Sequence, residues 1–365
     1  TIHRITDWFG LEGTLRSSSS NPLLRESEWP QGFGQLTKPG LISWIKFPYY
    51  FYCFHFIFNS LPFYLQFYIQ STDYDRTIMS AQSYLSGLFP PTSSQIWNPE
   101  LLWQPIPVHI LQKSTDRRLN FPLPDCPRFD ELQNETQASS ELQSRMQPYM
   151  VRQRKQNLRR KEKPHDFVFL SHQGIHNFTL PVWATKDVIN KMEKLAELSL
   201  LSLFGLYKTE EKSRLQGGVL VNIILNSIRQ AANSSKQRKM EVYSAHDTTV
   251  GALQIALNIF NGKLPPYAAC QFFELYQESS GQYSIEMHYR NDSSKAPYLL
   301  TLPGCTSSCP LEKFAELVSP VITENWPKEC GKKDKMKGTA TALYFLHKTW
   351  RQKLDHWRRN NYQDI

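Results

Sequence analysis

Two short polar clusters carry residue types suited to a phosphate ester: Asp73, Asp75 and Arg76, and His246 with Asp247. An arginine offers a planar fork of N–H donors that matches phosphate oxygens. A histidine beside an aspartate supplies a cation or donor together with a proton source. Arginine, histidine and a carboxylic acid around one anion are the parts needed to hydrolyse a phosphomonoester without a metal. Taken singly, neither cluster is specific. Asp-x-Asp-Arg is the composition of many helix amino termini, where acidic side chains complement the helix dipole. A lone His-Asp pair commonly does no more than hydrogen-bond at a surface.

The elements around the clusters give them meaning. Tyr68-Ile69 closes a run that reads as a strand, and Ile78, Ala81, Leu85 and Leu88 follow at helical spacing, stopped by Pro90-Pro91. Met240 to Tyr243 reads as another strand, followed by a helix through Leu253, Ala256, Leu257 and Phe260 that Gly262 closes. Each cluster therefore lies where a strand hands over to a helix. Open α/β sheets bind ligands at that position, and a helix amino terminus favours an anion there.

Further helices are predicted over Asp187–Phe204, stopped by Gly205, and around Val221, Ile224, Leu225 and Ile228. Phe272–Gln277 and Gln282–Tyr289 alternate as a β-hairpin about Glu278–Gly281. Strands far apart in sequence with helices between them predict an α/β fold with a mostly parallel sheet and helices on both faces. Six prolines between residues 97 and 130 predict a long excursion from that sheet, and with it a smaller loop-rich and helical second domain. The expected divisions are 1–90 and 236–330 for the α/β domain, 91–235 for the smaller domain and its return helices, and 331–365 for a basic tail.

At 365 residues and 40% hydrophobic content the chain can bury a large core. Its formal charge of +9 is uneven. Val151–Lys163 holds seven Lys/Arg and one Glu, and Gly331–Ile365 nine Lys/Arg and three Asp, so the remainder is mildly acidic. The Val151–Lys163 run lacks interleaved aromatics for base stacking, so no nucleic-acid partner is expected. The Phe/Tyr-rich run Phe47–Ile69 is broken by Pro48, His55, Asn59 and Pro62; it reads as a buried helix or strand and no membrane span is expected. No metal or other cofactor is implied.

No signal peptide is visible at the start Thr-Ile-His-Arg, which reads as a leader already removed or as an incomplete start. Six cysteines (Cys53, Cys126, Cys270, Cys305, Cys309 and Cys330) and sequons at Asn134, Asn177, Asn233 and Asn291 point to the secretory pathway. Cys305 and Cys309 lie in a Pro/Gly/Ser-rich loop without a His cluster, which favours a small disulfide loop over a zinc site.

Tyr243–Thr249 (Tyr-Ser-Ala-His-Asp-Thr-Thr), Ser71–Thr77, Trp29–Thr37, Trp97–His109 and Pro303–Pro310 together resemble the mammalian histidine acid phosphatases, the prostatic, lysosomal and testicular group. The likeness covers roughly residues 22–40, 66–150 and 174–330. It implies a metal-free phosphomonoesterase, active at acid pH on small-molecule or protein monoesters, in which a histidine attacks phosphorus and water hydrolyses the phosphohistidine. It further implies that Arg76 and His246 bind the phosphate and that Asp247 protonates the leaving oxygen. Trp103 and His109 would lie in a homodimer interface, and Cys126 with Cys330 and Cys305 with Cys309 would form disulfides. Asn134, Asn177 and Asn291 would carry glycans, and the protein would be secreted or lysosomal.

The likeness breaks at its centre. The family's Arg-His-Gly-x-Arg-x-Pro motif, which carries the nucleophile, lies roughly twenty residues before Trp29-Pro-Gln-Gly; here that stretch reads Trp8-Phe-Gly-Leu-Glu-Gly-Thr14. His3-Arg4 has the wrong order and lacks the glycine. In one well-studied hydrolase, losing the nucleophile costs on the order of a millionfold in rate, so a phosphate-ester-binding or structural relative without catalysis is the alternative reading. Cys270 lacks the cysteine the family places before His-Asn-Phe-Thr, which leaves a Cys53–Cys270 bridge as an option. Residues 1–21, 41–65, 151–173 and 331–365 are unlike the family and read as substituted exons or drift.

Overall fold

The computed structural model of the chain describes residues 2–7 as backbone, together with 36, 67–149, 180, 182, 184–233, 238–292 and 294–331. Cys53, Asn177, the stretch 8–14, the aromatic run before Phe67, the basic run 151–163 and the tail beyond Gly331 lie outside the described residues.

One mixed sheet organises the molecule, in the order β3-β2-β4-β1-β5-β6-β7, with β8 (Ser308–Pro310) also paired to β6. Its first half is parallel: β3 (His109–Leu111) pairs with β2 (Phe67–Thr72), β2 with β4 (Met240–Ala245), and β4 with β1 (Ile2–Asp7). The other half is antiparallel, built on the hairpin of β5 (Cys270–Gln277) and β6 (Tyr283–Arg290), with β7 (Tyr298–Leu300) beyond it. Gly281 turns that hairpin at φ 85°, a left-handed conformation that suits glycine.

The period-two alternation of the strands explains the layers. Met240 and Val242 on β4 and Phe67 and Ile69 on β2 pack against α1 (Asp75–Leu88) through Ala81, Tyr84 and Leu85. Tyr243 and Ala245 point the other way, into a larger core shared with α6 (Gly217–Asn233) and α7 (Asp247–Ala256). Burying a side chain such as Val242 or Ile69 stabilises the fold by roughly 1.5–3 kcal/mol. α1 stops at Leu88, just before Pro90-Pro91. Between β3 and β4 the chain forms α2 (Pro127–Ala138), α3 (Ser140–Met146), α4 (Lys186–Phe204) and α5 (Thr209–Leu215). The buried Lys212 on α5 binds these together, donating to Thr136 Oγ1 and to the carbonyls of Ser202 and Leu206.

α7 is shorter than its apolar spacing predicts. Phe260 and Gly262 lie beyond it, because Asn258 adopts a left-handed φ of 55° and the Ile259 amide turns back to the Gln254 carbonyl. Asparagine tolerates that conformation and ends the helix a turn early. At its other face α7 meets α6 at Gly217, where a Cβ would stand 2.0 Å from the Ala252 carbonyl oxygen. Only glycine admits so close an approach, and it fixes the lie of α7 and of the residues at its amino end.

Candidate active site

The parallel register brings both sequence clusters to one edge of the sheet. β2 and β4 pair from Phe67↔Met240 to Ser71↔Ser244, so Thr72 and Ala245 leave the sheet side by side. Asp7 on β1 stands opposite Ala245, so this strand also ends there. The chain then enters α1 after Tyr74 and α7 after His246.

Hydroxyl groups lock the two crossings together. Ser244 Oγ donates to the Thr77 carbonyl at 2.8 Å, joining the end of β4 to the first turn of α1. Thr77 Oγ1 donates to the carbonyls of Tyr74 (2.8 Å) and Thr72 (3.0 Å). Its proton is thus committed, and it accepts from Thr72 Oγ1 at 2.9 Å. Thr72 Oγ1, with its own proton used, accepts from His246 Nε2 at 3.0 Å. This chain of donors assigns His246 the Nε2–H tautomer in its neutral form.

Around the imidazole stand an aromatic ring and two cations. Tyr74 meets His246 edge to face with ring centres 4.9 Å apart. The Arg76 guanidinium lies 4.5 Å from the Tyr74 ring centre, and its side chain is only 6% exposed. Lys113, in the turn after β3, places its ammonium 3.9 Å from the same ring centre. Burial, and then the positive charges of Arg76 and Lys113, push the His246 pKa down from 6.5 to about 3. In the absence of an anion the ring is therefore neutral through the mildly acidic range. An anion set among these groups would offset both cations and favour the imidazolium.

Asp247 is the first residue of α7, and its Oδ1 accepts from the Thr248 amide at 2.6 Å. Thr248 and Thr249 hydroxyls donate to the carbonyls of Phe121 and Leu119 at 2.9 and 2.7 Å, anchoring this helix start on the loop that follows Lys113. Buried Asp116 shapes that loop by accepting from the Arg118 and Leu119 amides. Asp73 is half-buried beside Tyr74, and Asp75 is exposed in the first turn of α1.

The sequence clusters thus converge as Arg76, His246 and Asp247, joined by three groups that pattern alone does not single out. Thr72 and Tyr74 sit inside the Ser71–Thr77 motif, where only its charged residues draw the eye. Lys113 lies in a loop with no periodicity to mark it. Among the described residues no group of His, Cys, Asp and Glu is arranged to hold a metal. Trp103 lies in irregular chain before β3, its carbonyl accepting from the Trp97 indole, and His109 begins β3 and stacks on Tyr68 with ring centres 4.9 Å apart. Cys126 is bonded to Cys330 and Cys305 to Cys309. Asn134 on α2 and Asn291 are both exposed.

With this site at the strand-to-helix edge of a mixed α/β sheet, the class of protein is defined. The chain belongs to the histidine phosphatase superfamily (branch 2), which it matches over residues 8–290. It is an acid phosphatase by lineage: it is 51% identical over 335 residues to the prostatic acid phosphatase of Rattus norvegicus, covering 88% of this chain and 86% of the relative. The Homo sapiens prostatic acid phosphatase is 49% identical over 330 residues (87% and 85% covered). The lysosomal acid phosphatase of Rattus norvegicus is 45% identical over 319 residues (84% and 74% covered). The apo form of a Hafnia alvei phytase shares the fold with a TM-score of 0.61 at 14% identity, covering 90% of this chain and 97% of the phytase.

Proposed function

We propose that this site takes phosphomonoesters by their phosphoryl group, with Arg76 and His246 as phosphate ligands and Asp247 as the acid, in hydrolysis at acid pH. The observation that carries the reading is the convergence of a buried arginine at the start of α1 and a hydroxyl-oriented histidine at the start of α7, both against the Tyr74 ring. Guanidinium and imidazolium supply directed, charge-assisted donors to an oxyanion. The helix amino terminus adds a favourable field. In the mechanism of this lineage a histidine nitrogen bonds to phosphorus as the ester P–O bond breaks. Asp247 gives its proton to the departing oxygen, and water then cleaves the P–N bond.

A second reading follows from one specific feature. No Arg-His-Gly occurs anywhere in the sequence, and residues 8–14 offer no histidine as nucleophile. On that reading the chain binds phosphate esters without turning them over. Assay of an aryl phosphate at acid pH, with the Asp247→Asn variant beside the parent, separates the two. Turnover that Asp247→Asn abolishes supports hydrolysis; turnover indifferent to that change sinks the assignment of the acid. No turnover and no trapped phosphoenzyme, but protection against unfolding by phosphate, supports binding alone. Absence of both activity and protection defeats both readings.

The outer sheet edge supports association of two copies. Trp97 is 59% and Leu102 61% exposed, with Trp103, Ile110 and Leu111 nearby in the chain and β3 last in the sheet among the described residues. An open strand edge among exposed apolar side chains is a ready surface for a partner. Homodimerisation through Trp103 and His109 predicts that Trp103→Glu sediments as a monomer where the parent does not. Two disulfides and the exposed sequons at Asn134 and Asn291 support passage through the secretory pathway to a secreted or lysosomal destination. Among the described residues no helix is long and apolar enough to cross a membrane.

A further inference from the structure

Lys113 is an exposed lysine with a fixed seat. Its ammonium rests 3.9 Å from the centre of the Tyr74 ring, the ring that also meets the Arg76 guanidinium at 4.5 Å and His246 at 4.9 Å. Sharing that neighbour keeps Lys113 within roughly 9 Å of both phosphate ligands, about one Debye length at physiological salt. A cation held over an aromatic face at an exposed position gains about 0.5–1 kcal/mol, which biases it against sweeping through solvent. Among the described residues it has no carboxylate within ion-pair distance, whereas Lys191, Lys208 and Lys313 each have one. Its charge is nonetheless felt at the centre of the site, since it helps hold His246 neutral.

These facts separate Lys113 from the phosphoryl ligands. Arg76 is buried and Lys113 is exposed, on the loop Gln112–Asn120 whose carbonyl at Leu119 anchors α7. With the phosphoryl group held by Arg76 and His246, this exposed ammonium, held against the same Tyr74 ring, is within reach of a second anionic group on the ester.

We propose that Lys113 forms a subsite for a second anionic group, which makes this a site for phosphomonoesters whose leaving part carries a carboxylate or a further phosphate. The proposal rests on the phosphoryl-binding reading above and adds the substrate class to it.

The test compares three non-hydrolysable probes by calorimetry or thermal protection on the full chain. They are phenylphosphonate, para-carboxyphenylphosphonate and its uncharged carboxamide. The last two differ in charge and hardly in shape. An exposed charge pair predicts that the carboxylate binds about two- to fivefold tighter than the carboxamide at low salt. Lys113→Met keeps the stem over the ring and removes the charge, so the ratio falls to about one; Lys113→Arg retains it. A parent ratio of one, or a preference that survives Lys113→Met, overturns the proposal and leaves the phosphoryl site intact. Failure of all three probes to bind the parent overturns the proposal together with the reading beneath it.

Discussion

Replacing Arg76 by methionine tests the phosphoryl site most economically. The side chain is 6% exposed, at the second position of α1, so methionine fills most of its stem volume while removing the charge. Hydrogen bonds from a charged donor contribute about 1.5–3 kcal/mol each. Loss of one such bond raises the dissociation constant for inorganic phosphate roughly 10- to 150-fold, at about 1.4 kcal/mol per decade. At a phosphate concentration near 100 times the parent's dissociation constant, binding stabilises the parent by about 2.7 kcal/mol. In the variant the same concentration stabilises by only about 0.3–1.4 kcal/mol. The assay is denaturant unfolding with and without phosphate, at ionic strength matched with chloride. The quantity read is the increment due to phosphate, because removing a buried arginine also changes stability in its own right. An increment in Arg76→Met equal to the parent's would refute the placement of the anion against Arg76.

Thr72→Val deprives His246 Nε2 of its acceptor at 3.0 Å and is expected to destabilise the fold by about 1–3 kcal/mol, read from the urea midpoint, with weaker phosphate protection. Gly217→Ala drives a methyl group to 2.0 Å from the Ala252 carbonyl oxygen; unfolding in urea should show a loss of about 3 kcal/mol or more. The pH dependence follows from His246, whose folded-state pKa of about 3 lies below the ordinary 6.5. Between those values the unfolded chain binds the extra proton, so His246 contributes a loss of stability as pH falls from 6.5 towards 3. His246→Gln should flatten that part of the stability profile. Sulfate, whose charge is constant over this range, should bind more tightly as the pH falls, and pH-independent sulfate affinity would contradict the coupling.

Much of the fold is legible in the sequence because its signals are local. Pro90-Pro91 and Gly205 mark where two helices stop, and the hairpin from Cys270 to Arg290 shows in alternation about Glu278–Gly281. The end of α7 is not legible in this way. Apolar spacing continues through Phe260, whereas a left-handed Asn258 ends the helix, a choice between two tolerated conformations that tertiary contacts decide. The same holds for the site. Arg76, His246 and Asp247 declare themselves by charge at strand-to-helix crossings. Their partners do not: Thr72 matters through a hydroxyl 174 positions from His246, and Lys113 through a ring it reaches only once β3 has paired with β2. Long-range hydrogen bonds and cation–π contacts leave no periodic trace.

A crystal structure of the full chain soaked with tungstate, a phosphate-shaped anion with strong anomalous scattering, shows directly whether an oxyanion binds between Arg76 and His246. An anion held by Arg76 and His246 gives one principal anomalous peak at the start of α7, with oxygens about 3 Å from the Arg76 guanidinium and the His246 ring. A principal peak elsewhere, or an empty site at tungstate concentrations that protect the protein from unfolding, would contradict it.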